Sequence, residues 1–140
     1  MAMKRFKLPV RKQWIATGDM RLEGGERAMQ QLMCLSPRPS AVITSNDLMA
    51  VGALRGIAAH GLRVPDDVAV VGFDDIALAK YTEPPLTTVV QPIREIGKLA
   101  TELVMARVNG ERTEPQRHRL KTSLVVRGSC GIKPSISGKS

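Results

Sequence analysis

Six residues carry side chains suited to holding a small polar molecule: Asp19, Asn46, Asp47, Asp74, Asp75 and Gln91. Carboxylates dominate the set, and two carboxamides add amide donors to it. Such groups fit a ligand rich in hydroxyl or amino groups, whose donors form charge-assisted bonds to carboxylates. Their placement follows a rule. Asp19, Asn46, Asp74 and Gln91 each lie where a short apolar run ends, with Asp47 and Asp75 beside them.

Elements that would position these groups are legible around the middle of the chain. Residues 41–44, AVIT, form an apolar run rich in β-branched residues and too short for a helix, which reads as a buried strand. Ser45, Asn46 and Asp47 follow, and such side chains accept hydrogen bonds from free N–H groups at a helix start. Leu48, Val51, Leu54, Ile57 and Ala58 recur at helical spacing, and Gly61 supplies a stop. Pro65-Asp66-Asp67 makes a turn, and residues 68–73 form a second apolar strand. A strand, a crossover helix and a strand imply a parallel sheet covered on its faces. Ligands of open parallel sheets sit beyond the carboxyl ends of the strands. Helix capping accounts for one of Asn46 and Asp47. It accounts less well for Asp74 and Asp75, because no helical pattern starts directly after them.

The flanks extend the same plan. Residues 14–17 read as a short strand ended by Gly18-Asp19, residues 20–25 as a loop, and residues 26–35 as a helix. That helix has Ala28, Met29, Leu32 and Met33 on its apolar side, with the methionines as core filler. Gly24-Gly25 between strand and helix lacks the G-x-G-x-x-G spacing of a dinucleotide loop. Gly52 and Gly56 lie four apart in the central helix, each costing ~1 kcal/mol relative to alanine. Close approach by another backbone would compensate, either within the subunit or, in the sharper reading, across a subunit contact. Residues 76–83 are irregular and hold the single tyrosine, Tyr81. Residues 86–90 form a strand, Gln91 ends it, and Pro92 suits a first helical turn. Ile93, Ile96, Ala100, Leu103 and Val104 give the next helix its stripe, and residues 120–127 hold a final strand. Residues 1–12 show a partial helical pattern interrupted by Pro9. From Ser129 onward the composition is that of a mobile tail, rich in Gly, Ser and Lys.

Composition narrows the function. A chain of 140 residues suits one domain with a substantial core, and no run approaches the length of a membrane span. Cys34 and Cys130 stand alone, which excludes CxxC redox or zinc spacing and fits free thiols in a cytoplasmic protein. The net charge of +8 gathers toward the ends, and aromatic residues total 3%, so base stacking on single strands has no support. His60 and His118 neighbour no Ser or Cys nucleophile and make no metal pair. Asp74-Asp75 could suggest a phosphoacceptor or magnesium site, but adjacent strand residues point to opposite faces. No catalytic residue, metal site or cofactor is expected.

The run SNDLMAVGALRGIAAHGLRVPDDVAVVGFDDIALAKYTEPPLTTVVQP closely resembles the effector-binding domain of the LacI/GalR family of bacterial repressors. The matching features, in order, are ND-x-MA-x-GA, then GL-x-VP-x-D-x-x-V-x-GFDD, then PPLTT-x-x-Q. The resemblance runs from about Trp14 to about Gly128.

The resemblance implies an α/β doubly wound parallel sheet, the incomplete carboxy-terminal part of a two-lobed, periplasmic-binding-protein-like sensor. Residues 1–130 would be a partial effector-binding and dimerisation domain, and residues 131–140 a flexible tail. The helix-turn-helix headpiece, the hinge and most of the amino-terminal half would be missing. Asp74 matches the family aspartate that contacts effector hydroxyl or amino groups, and Gln91 a crossover position contributing to some pockets. Met20 stands where members often place an aromatic wall. The family's effector-binding arginine lies upstream of this chain, leaving half a pocket. Asp74, Met20, Asn46, Gln91 and Asp19 are therefore the expected ligand residues. Val51, Leu54, Arg55 and Tyr81 are the expected contacts of a homodimer. Partners would be a small-molecule effector, a sugar or nucleobase-like compound, and DNA through a headpiece outside this chain. No membrane partner and no enzymatic activity are expected. A fragment of a periplasmic sugar-binding protein of a transport system is the alternative.

Overall fold

The computed structural model describes residues 2–111 and 114–132. Helix α1 (Ala2–Arg5) is followed by a 3-10 turn at Lys12–Trp14 and by helix α2 (Leu22–Met33). Strand β1 (Ala41–Ile43), helix α3 (Asp47–Ala59) and strand β2 (Ala69–Asp74) form the expected crossover unit. A 3-10 turn at Ala77–Lys80 leads to strand β3 (Thr87–Val90), helix α4 (Ile93–Val108) and strand β4 (Ser123–Val125). The sheet order is β1-β2-β3-β4. β1, β2 and β3 are parallel neighbours, while β4 runs antiparallel to β3 with Val89 opposite Leu124. The architecture is the expected α/β parallel sheet, with β4 added antiparallel at its edge.

Packing of α2 on α3 builds most of the core. Met29, Leu32 and Met33 of α2 meet Ala50, Ala53, Leu54 and Ile57 of α3, and Val68, Val70 and Leu86 close the cluster from the sheet. Ile57 is fully buried, a contribution of about 1.5–3 kcal/mol for a side chain of this kind. The helix turns its Met49, Ala50, Ala53, Leu54 and Ile57 face inward, whereas Leu48 is 41% exposed and Ala58 is exposed. The buried stripe is thus rotated from the one read in the sequence.

The glycines explain why α2 and α3 come so close. A Cβ on Gly52 would strike the Leu22 carbonyl and lie 2.7 Å from the Glu26 nitrogen. One on Gly56 would lie 3.0 Å from Met29 Cβ, and one on Gly25 would strike the Met49 backbone. The backbone approach is therefore within one chain, not across a subunit contact. The same approach draws Gly24 and Gly25 into α2, which starts at Leu22 although glycine disfavours helix.

Two other expectations change. Residues 14–17 form no strand: Lys12–Trp14 is a 3-10 turn, and Trp14 Nε1 donates to the Pro37 carbonyl. A groove of about 390 Å³ lined by Trp14, Ile15, Ala16, Val42 and Ile43 lies between this segment and β1. Ile15 and Ile43 are 71% and 80% exposed, so β1 remains an edge strand. Ser129 is no tail residue. It is fully buried, its Oγ donates to the Val70 carbonyl at 2.6 Å and accepts from Thr87 N at 2.8 Å. Of the expected flexible tail, residues 133–140 lie outside the described residues.

Helix α4 buries none of its residues among the described ones, and Ile93, Ile96 and Val104 are exposed. Among the described residues only the 114–122 segment lies near its apolar stripe, and it leaves most of that stripe open.

Candidate functional site

The carboxyl ends of β1, β2 and β3 place Asn46, Asp74 and Gln91 along one edge. Asp19 and Met20 join the edge at the β1 end, because Asn46 Nδ2 donates to the Met20 carbonyl at 2.9 Å. Asn46 Oδ1 accepts from Met49 N at 2.9 Å, the N-cap bond of α3. Asn46 is buried and bonded at both ends of its carboxamide, so it organises the edge as a cap and a latch.

The four edge acids have different fates. Asp47 is fully buried: Oδ1 accepts from Thr88 Oγ1 at 2.6 Å and Oδ2 from Ile76 N at 2.9 Å. It ties α3, β3 and the segment after β2 together and faces no solvent. Asp19 accepts from Arg21 N at 3.0 Å and from Arg27 Nη2 at 2.8 Å. The Arg21 backbone bond, followed by the Arg27 guanidinium, holds the Asp19 carboxyl below its ordinary value of 3.8. Asp75 pairs with Arg127 Nη2 at 2.6 Å, with the two side chains 19% and 14% exposed.

Asp74 is the different one. Its Oδ1 accepts from Gln91 Nε2 at 2.7 Å, a neutral donor. Among the described residues it forms no ion pair, unlike Asp19 and Asp75. A half-buried carboxyl group whose one donor among the described residues is a carboxamide has a second oxygen able to accept from hydroxyl or amino groups.

Backbone conformation marks the same edge. Met20 (φ 66°), Asp74 (φ 120°) and Asp75 (φ 58°) are three of the four non-glycine residues with positive φ among those described. Such conformations cost on the order of 1–3 kcal/mol each and persist where surrounding contacts over-determine them. The double reversal sends the carboxylates of Asp74 and Asp75 to different partners, Gln91 and Arg127, so they do not converge as a magnesium or phosphoacceptor pair.

The expected ligand residues therefore split. Asp74 and Gln91 are in direct contact, while Asp19, Met20 and Asn46 form a second group linked through the Met20 carbonyl. Met20 is 54% exposed and offers a flexible thioether where a ring could stack. Of the expected subunit-contact residues, Tyr81 is 82% exposed and Arg55 is exposed beside Glu26, Val51 is half-buried, and Leu54 sits in the core. Arg127, Thr88 and Ser129 were not singled out from sequence. Their partners lie about 40 to 60 residues away, and nothing local marks them.

Residues 1–130 match the family described as periplasmic binding protein-like domain. The chain is 40% identical over 133 residues to the HTH-type transcriptional repressor CytR of Escherichia coli, covering 95% of this chain and 39% of the relative. It is 44% identical over 129 residues to the ribose operon repressor of Escherichia coli, covering 92% of this chain and 39% of the relative. Among solved structures, the transcriptional regulator CelR–cellobiose complex superposes with a TM-score of 0.88 at 41% identity, over 91% of this chain and 39% of that one. A LacI-family regulator from Chloroflexus aggregans gives 0.82 at 39% identity, over 93% and 47%. The chain thus spans about two fifths of the length of the curated relatives it matches. These relatives are transcriptional regulators, not enzymes or transport proteins.

Proposed function

Since the chain belongs to the periplasmic binding protein-like domain family, in the form found in the sensors of LacI-family regulators, we propose that it senses a small polyhydroxylated effector at the edge bearing Asp74 and Gln91. The observation that carries this reading is the Asp74 carboxylate, held by the neutral Gln91 amide with no ion pair among the described residues. A sugar hydroxyl or a nucleoside amine supplies the donor such a carboxylate favours. The companion Gln91 Oε1 accepts from a second hydroxyl, so the pair reads two adjacent groups of one ligand. Relatives solved with ribose, lactose or cellobiose support a sugar as the chemical class.

The chain acts in this reading as the regulatory part of a cytoplasmic DNA-binding repressor, with no catalytic step of its own. DNA contact belongs to a headpiece outside these residues. The exposed Tyr81, with Val51 and Arg55 on the outer side of α3, forms the homodimer contact. Leu54 supports that face from inside the core. The alternative of a transport-system binding protein finds no support in the repressor relatives.

Titration of the isotopically labelled chain with ribose, cellobiose and cytidine, followed by NMR, tests the assignment. Millimolar ligand is expected to move the resonances of Asp74, Gln91 and Met20 as one group, and Asp74→Asn to abolish the response. Perturbations confined to α4 or to the amino-terminal residues would refute it.

A further inference from the structure

We propose that the Arg127–Asp75 ion pair is a positioning device that aims the Asp74 carboxylate, so that Arg127 sets effector affinity without touching the effector. The inference deepens the proposed function and rests on it. Its foundation is a run of consecutive tethers. Asp74 is bound through its side chain to Gln91, Asp75 through its side chain to Arg127, and Ile76 through its backbone N–H to the buried Asp47. Two left-handed residues in succession make the Asp74–Asp75 link intrinsically unfavourable for side-chain-bearing residues. Each tether fixes one of the three residues against a different element, and together they hold the reversal.

Arg127 is itself tethered. Its Nη1 donates to the Leu86 carbonyl at 2.7 Å, and its backbone N donates to Thr87 Oγ1 at 2.8 Å. Two residues on, Ser129 bridges Val70 and Thr87, locking this stretch to β2 and β3. With the guanidinium 14% and the Asp75 side chain 19% exposed, water screens the pair little. The Asp19–Arg27 pair at the same edge is 42% and 64% exposed, so solvent screens it far more. The antiparallel course of β4 carries Arg127 level with Leu86 and Thr87, away from the strand ends where a ligand would sit. It acts on Asp74 through the chain reversal alone.

Asp75→Asn, Asp75→Gly and Arg127→Met test the device. Asparagine and glycine both accept the left-handed conformation, so they remove the charge while keeping the turn accessible. The first measurement needs no ligand: the side-chain amide resonances of Gln91 report its bond to Asp74. In all three variants these signals are expected to move toward the free-amide position, with the core amides of Ile57 and Val68 unchanged. Arg127→Lys keeps one charge contact and is expected to fall between wild type and Arg127→Met. The second measurement is ribose titration of the same proteins, where the response is expected to weaken about fivefold or more, the scale of coupling between contacting residues. Unchanged Gln91 signals in the folded variants would overturn the proposal. Unfolding of all the variants would overturn it too, by making the pair an element of the fold. Absence of any ribose response in the wild type would count against the effector class and leave the Gln91 measurement standing as the test of positioning.

Discussion

Gln91 Nε2 donates to Asp74 Oδ1 at 2.7 Å, joining the last residue of β2 to the residue that follows β3. The bond spans the step between two neighbouring parallel strands, where Asp74 lies opposite Val90. Rigid strands hold both partners, so the pair is presented at a fixed spacing before any ligand arrives. A neutral carboxamide is a weak competitor for a carboxylate against hydroxyl groups clustered on a sugar.

Replacing Asp74 by asparagine keeps the shape and a left-handed-tolerant residue while removing the charge. Effector affinity is expected to fall by ~1.5–3 kcal/mol, the scale of a hydrogen bond to a charged group. The melting temperature should hardly change. Calorimetry on the variant, paired with a melting curve, separates the two, and normal affinity would remove Asp74 from the site.

Asp47 should matter for stability and not for ligand chemistry. Asp47→Ala strands the Thr88 hydroxyl and the Ile76 N–H, each costing about 1–3 kcal/mol when buried without a partner. Urea unfolding is expected to show a loss on the order of 3 kcal/mol. A loss below about 0.5 kcal/mol, the scale of a neutral surface change, would mean the carboxylate is dispensable.

Two glycines should respond oppositely to alanine. Gly52→Ala forces a methyl into the α2 backbone and should destabilise by at least about 1–3 kcal/mol, the usual overpacking cost. Gly97→Ala in α4 meets nothing within 4 Å and should stabilise by up to ~1 kcal/mol through helix propensity. Equal effects would show that α2 and α3 do not approach as described.

The Asp19 carboxyl, depressed first by the Arg21 backbone bond and then by Arg27, should titrate below 3.8. Because the folded value is the lower one, its stabilising contribution is present above the unfolded value and is lost as pH falls through the folded value. NMR titration should show Arg27→Gln moving the midpoint part of the way back, since the backbone bond remains. No movement would assign the whole shift to that bond.

Glutamate at both Val51 and Arg55 places like charges on the outer side of α3. If that side is the homodimer contact, sedimentation should show monomers while the helical spectrum is retained. A dimer that persists with the fold intact would move the contact elsewhere.

Local chemistry in the sequence determined much of this protein. The alternation of apolar runs with caps and turns determined the β1-α3-β2 unit, because Asn46, Gly61 and Pro65 act over a few residues whatever surrounds them. The same logic placed Asp74 and Gln91 at strand ends, since the chain must leave a sheet where its apolar run stops. Tertiary structure alone decided which of the edge acids are free. Asp47 and Asp75 look like Asp74 in sequence, yet one is spent on Thr88 and Ile76 and the other on Arg127. Those partners come from the turn after β2, from β3 and from beyond β4, 29, 41 and 52 residues distant, so no local pattern could reveal them. The glycine pair in α3 was ambiguous for a related reason: spacing shows that a backbone must come close, and only packing shows that it is α2 of the same chain. The segment 14–17 had a strand's composition, but a strand is made by its partner's hydrogen bonds, and β1 offers it none.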